Sequence, residues 1–126
     1  MPMPSLFLPP GATQVTATSG NAANATATAT IAAVSGRTNY LTGFDVTGSG
    51  ATAGLPAVVT VSNLTGGTIT YTYTFAAGAL VGNAPLSVRF PHPIPATGQN
   101  TAITVACGAS GAGGTNNVVT AYGYFE

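Results

Sequence analysis

TITYTYTF, residues 68–75, sets hydroxyl side chains against large apolar ones residue by residue. Thr68, Thr70, Thr72 and Thr74 alternate with Ile69, Tyr71, Tyr73 and Phe75. A two-residue period sends the threonines to one side of an extended chain and the larger side chains to the other, as a half-buried strand requires. β-Branched and aromatic residues also suit that pleated surface. A strand is therefore predicted at 68–76.

The same period recurs along the chain and predicts strands at 14–19, 24–34, 40–48, 57–63, 85–90, 101–107 and 117–125. In 40–48, Tyr40, Phe44 and Val46 are expected on one face, with Thr42 between them and Asp45 opposite. In 85–90, Leu86, Val88 and Phe90 should point inward and Arg89 outward, and Val59 and Val61 share a buried phase. Clusters rich in Gly, Asn, Ser and Pro separate these runs, at 19–21, 35–39, 47–54, 65–67, 95–100 and 108–117. No window carries a helical period. The fold class is all-β: an antiparallel two-sheet sandwich of about eight strands, jelly-roll-like, filling residues 13–126 as one domain.

Two features qualify the core. Large side chains gather between Tyr40 and Phe90 and again between Val118 and Phe125, whereas the first 35 residues offer mostly Ala and Thr. Such thin strands bury little area, at about 25 cal/mol per Å², so they rely on close sheet packing or on a partner. Ahead of the sandwich, MPMPSLFLPPG carries prolines at 2, 4, 9 and 10. Residues 1–12 read as an extended, polyproline-like arm that presents Leu6, Phe7 and Leu8 for docking on a partner. The prolines interrupt its apolar run and no basic residues precede it, so it reads as neither a signal peptide nor a membrane span.

Composition narrows the function. Charged residues make up 3% of the 126 residues, two basic and two acidic, for a formal net charge of zero. That balance provides no electrostatic footprint for nucleic acid or an anionic membrane. It also removes the long-range repulsion that keeps soluble monomers apart, and points to a surface covered in an assembly. Catalysis needs an acid, base or nucleophile beside a partner, and the chain holds one His, one Cys, one Asp and one Glu. Cys107, in phase with Ile103 and Val105, reads as a buried thiol, and His92 as a turn residue in the proline-stiffened RFPHPIP. No catalytic residue, metal ligand set or cofactor is expected.

Some motifs are discounted. The glycine runs at 48–54 and 108–114 lack a following helix and lysine, so they are loops and not phosphate cradles. Asn24-Ala-Thr26 and Asn63-Leu-Thr65 match the glycosylation sequon, a short pattern that recurs by chance in Asn- and Thr-rich chains. The alternating threonines lack the fixed coil repeat of an ice-binding face. Arg37, Arg89, His92, Tyr122 and Tyr124 are the candidates for contacts between subunits, with Arg37 and Arg89 able to pair with Asp45 or Glu126 of the same or a neighbouring copy.

SGRTNYLTGFDVTGSGATAG (35–54), the central strands, and FPHPIPATGQNTAITVACGASGAGGTNNVVTAYGYFE (90–126) together resemble small jelly-roll decoration (cement) proteins of tailed-bacteriophage capsids. That resemblance implies a structural virion protein made in the host cytoplasm. It would be homotrimeric, seated on the capsid surface, and bound to the major capsid protein and to itself. It carries no functional residues over. The competing expectation is a receptor- or glycan-binding module of a tail fibre, spike or adhesin, reading sugars on Tyr71, Tyr73, Tyr122 or Tyr124. Exposure of those four rings separates the two.

Overall fold

A computed structural model describes residues 8–51, 55–78, 80–109 and 116–126. Leu6 and Phe7 of the arm, and most of the 108–114 glycine run, lie outside the described residues. Eight strands form, with no helix among the described residues: β1 (Thr13–Thr18), β2 (Ala27–Ile31), β3 (Asn39–Ser49), β4 (Leu55–Ser62), β5 (Ile69–Phe75), β6 (Leu86–Pro95), β7 (Ile103–Cys107) and β8 (Asn116–Phe125).

The strands build two four-stranded antiparallel sheets, ordered β1-β8-β3-β6 and β2-β7-β4-β5. Within them β1 pairs with β8, β2 with β7, β3 with β6 and β4 with β5. This is one long hairpin, closed at the β4–β5 turn and rolled so that β8 also meets β3 and β7 meets β4. The result is a jelly roll.

The alternation seen in the sequence fills the space between the sheets. Ala27, Ala29 and Ile31 of β2, Val59 and Val61 of β4, and Tyr73 and Phe75 of β5 point inward. They meet Leu41, Phe44 and Val46 of β3 and Val119 and Ala121 of β8. Ile103, Val105 and Cys107 of β7 are fully buried, as their shared phase requires. Burial raises the Cys107 thiol to about 11, so it stays protonated at neutral pH. Two buried amides tie loops to the core. Asn39 donates to the carbonyls of Ala32 and Thr101, and Asn117 to those of Gly108, Ala25 and Cys107.

Several expectations need correction. Tyr40 does not share a face with Phe44 and Val46. The pairing of β3 with β8 skips Thr42, a β-bulge that turns Leu41 into the core and Tyr40 outward. The 47–54 turn starts later, because β3 runs on through Ser49. β6 likewise does not end at Phe90: it continues to Pro95, pairing Leu41 with Ile94 and Gly43 with Arg89. Phe90, Pro91, His92 and Pro93 therefore stand opposite Thr42 alone and arch out of the ladder. Prolines lack the N–H that a ladder needs, and β6 is an edge strand, where such residues are tolerated.

Candidate functional site

The two sheets present different outer faces. On the β1-β8-β3-β6 sheet, the double irregularity at Thr42 and Phe90–Pro93 leaves a groove of about 620 Å³. Gln14 lies on the β1 side and Phe90, Pro91 and Pro93 on the β6 side, with Thr42, Tyr122, Gly123 and Tyr124 between them. Leu8 and Arg89 complete the lining.

Arg89 anchors one end. Its Nη1 and Nη2 donate to the two carboxylate oxygens of Asp45 at 3.1 and 3.2 Å, a forked pairing that fixes the guanidinium plane. Ser87 and the Tyr122 hydroxyl also donate to Asp45, at 2.6 and 2.8 Å. The guanidinium carbon lies 4.8 Å from the centre of the Tyr122 ring. The strand register brings these groups together: Gly43 faces both Arg89 and Tyr122, and Asp45 faces Ser87. Gly43 has to be glycine, because a Cβ there would run into the Val88 carbonyl and come within 2.8 Å of Arg89 Cδ.

Electrostatics follow from these contacts. Burial pushes the Asp45 carboxyl up, but the hydrogen bonds from Arg89, Ser87 and Tyr122, with the Arg89 charge, outweigh it and hold the carboxyl below the usual range. The hydrogen bond to Asp45 raises both Arg89 and the Tyr122 phenol. The cluster is an ion pair that balances its own charge, with the Arg89 side chain 54% exposed. It offers a polar, uncharged rim and no free base.

The candidates from the sequence separate here. Arg89 and Tyr122 join in one cluster with Asp45 of the same chain. Tyr124 is only 6% exposed and stacks on Tyr40, ring centres 4.8 Å apart. Arg37 sits in the β2–β3 turn, its guanidinium carbon 5.9 Å from the Phe125 ring centre. His92 is exposed on the bulge, outside the groove lining. Leu8 is 41% exposed at the groove. The sequence reading missed Gln14, Thr42, Phe90, Pro91 and Pro93 as a group. The alternating prolines of FPHPIP were the signal, since they forbid continuous pairing on one edge.

The β2-β7-β4-β5 sheet presents a surface of another kind. Outside it stand Thr28 and Thr30 of β2, Thr104 of β7, Val58 and Thr60 of β4, and Thr70, Thr72 and Thr74 of β5. Register aligns Thr30, Thr104 and Ser62 across three strands, and Thr60 with Thr70. None of the chain's four charged residues is on a strand of this sheet, and Val58 is 56% exposed. Its edge strand β5 contains neither proline nor charge, the devices that ordinarily discourage edge pairing. Asn83 takes the Thr74 carbonyl, and Ala84 accepts from the Tyr73 hydroxyl, so residues 83–84 cover one end of that edge.

Among the described residues no group of three or more His, Cys, Asp or Glu side chains gathers to hold a metal. Comparison with family models, curated proteins and solved structures finds no match to this chain.

Proposed function

We propose that this protein is a structural virion component, a decoration protein that lies on a capsid lattice and holds neighbouring shell subunits together. The observation that carries the reading is the outer face of the β2-β7-β4-β5 sheet. It is a broad, uncharged surface of threonine hydroxyls around an exposed Val58, beside an edge strand without charge or proline. Hydroxyls that both donate and accept can match a protein surface without a buried ion pair. An uncharged face on a chain of zero net charge suits permanent contact better than free diffusion. We assign the major capsid protein as the partner and a homotrimer as the working unit, with many weak contacts acting together. The arm, through Leu6, Phe7 and Leu8, supplies a further contact.

Glycan reading by tyrosine stacking is the weaker assignment. Tyr73 and Tyr124 are buried, Tyr71 packs edge-on against Phe44, and Tyr122 carries the Arg89 guanidinium over its ring. The test is co-sedimentation of the purified protein with shells lacking it, followed by imaging of the particles. Density on the lattice and a shell more resistant to heating are expected. Protein that stays in the supernatant as a freely tumbling monomer overturns the proposal.

A further inference from the structure

The β5 edge of the β2-β7-β4-β5 sheet has backbone groups to spare, and the register says which. Gly108 N–H donates to the Val58 carbonyl at 3.2 Å, so Val58 turns its backbone groups toward β7. On its other side Val58 stands opposite Thr72. Backbone groups in a strand alternate between its two neighbours, so Val58 and Thr72 are a pair that exchanges no hydrogen bond. Thr72 therefore points its N–H and C=O out of the sheet, and by the same alternation so do Thr70 and Thr74. Asn83 agrees with that phase: its side chain donates to the Thr74 carbonyl and accepts from Ala76 N–H.

The Asn83 amide does for Thr74 and Ala76 what a paired strand would do. No described residue does it for Thr70 or Thr72, whose side chains are exposed on the outer face. Open donors and acceptors at every second residue fit an extended backbone, the basis of strand addition. A second β5 is the strand that fits, because this edge complements itself. With two copies antiparallel about a two-fold axis at Tyr71, Thr70 faces the second copy's Thr72 and Thr72 faces its Thr70. Every open group at these threonines is then bonded, and the Asn83 amide keeps its place. An axis at Thr72 would instead set Thr70 against Thr74, whose carbonyl Asn83 already holds. Threonine meets threonine on the outer face, a favourable cross-strand pair, and the half-buried Tyr71 side chains meet at the axis. Neither a charge on β5 nor a net charge on the chain opposes the approach.

We propose that β5 is a self-association edge: two copies pair β5 with β5, antiparallel and in register about Tyr71, and join their four-stranded sheets edge to edge. The contact is isologous, the same strand serving on both sides. It merges two threonine faces into one continuous uncharged surface. The inference goes beyond the virion reading and stands without it; on a lattice of trimers the same edge would link one trimer to the next. Its few bonds must offset the freedom lost on association, so the pair forms where copies are crowded.

The test uses the full chain as two single variants, Thr70→Cys and Thr72→Cys, one of them enriched in ¹⁵N so that mixed and same-variant disulfides differ in mass. Both positions are exposed, and Cys107 is buried with its thiol raised to about 11, so it does not compete. In the proposed register Thr70 and the second copy's Thr72 lie about 5.5 Å apart between Cα atoms, within disulfide reach. Thr70 to Thr70 and Thr72 to Thr72 are diagonals beyond about 7 Å, outside it. On mild oxidation of a concentrated mixture, the mixed disulfide should exceed either same-variant product by about tenfold or more. The same mixture unfolded in urea supplies the statistical proportion for comparison. Statistical proportions from the folded mixture, or no disulfide at all, overturn the proposal. A Thr72→Cys disulfide with itself means another axis and equally overturns it. Shells are absent throughout, so the outcome is independent of whether the protein binds them.

Discussion

One sandwich carries two unlike outer faces. The β1-β8-β3-β6 face is irregular: a bulge at Thr42, an arch at Phe90–Pro93, stacked tyrosines, and an ion pair between β3 and β6. The β2-β7-β4-β5 face has unbroken register along all three of its ladders and is dressed in threonine. Irregular pairing re-aims side chains and opens space between them, which makes a site for something narrow. Regular pairing keeps the outward side chains in unbroken rows and makes a surface for something broad. Local ladder geometry thus separates the two faces more than composition does, since both are poor in charge.

Breaking the irregular face should have the largest effect. Gly43→Val drives a side chain into the Val88 carbonyl and the Arg89 stem, and should cost about 3 kcal/mol. Urea denaturation checks this, and a loss below about 0.5 kcal/mol would mean that β3 and β6 can separate freely there. Placing a charge on the regular face should do the opposite. Val58→Lys should change stability by no more than about 0.5 kcal/mol because the side chain is already exposed. On the proposed function, its attachment to shells should weaken about tenfold or more, which is about 1.4 kcal/mol. If Val58→Lys binds shells as the unaltered chain does, the threonine face is not the contact. Attachment through that face should also hold steady from about 0.05 M to about 0.5 M salt, since few charges are screened.

Smaller effects sharpen the comparison on the irregular side. A double-mutant cycle with Asp45→Asn and Arg89→Ala should return a coupling below about 1 kcal/mol, since the Arg89 side chain is 54% exposed. A larger value would mean that the groove shields the pair. The smallest expected effect is on pH dependence. Asp45 has its carboxyl lowered on folding, so its contribution is complete above the unfolded value near 4 and lost as pH falls through the folded value. Acidification below about pH 4 should destabilise the unaltered chain, whereas the Asp45→Asn variant should be nearly flat there. The chain has only two acidic side chains, so parallel curves for the two proteins would show that Asp45 does not set its acid sensitivity.

Legibility followed the range of the interactions. Ile69 to Phe75, Val59 and Val61, and Ile103 to Cys107 were readable because their burial depends only on alternation within one strand. Arg89 was expected outward and Leu86 inward, and both are so placed. Tyr40 was misread because an extra residue in β3 shifts the phase, and nothing in YLTGFDV marks Thr42 as that residue. The groove was illegible for the same reason. Gln14 and Tyr124 are cross-strand neighbours more than a hundred positions apart, and Phe90 to Pro93 leave the ladder only because Ile94 rejoins it opposite Leu41.

By itself the sequence determined that this chain makes strands, which side of most of them is buried, and that almost no charge is available for any surface. Those properties are local, written in a two-residue period and in composition. Tertiary structure alone decided that the first strand lies beside the last, that Asp45, Arg89 and Tyr122 converge, and that one face keeps an unbroken register while the other is grooved. Strand partners and bulges are chosen by the packing of residues far apart in the chain, and a periodic pattern is silent about which periodic neighbour it will meet.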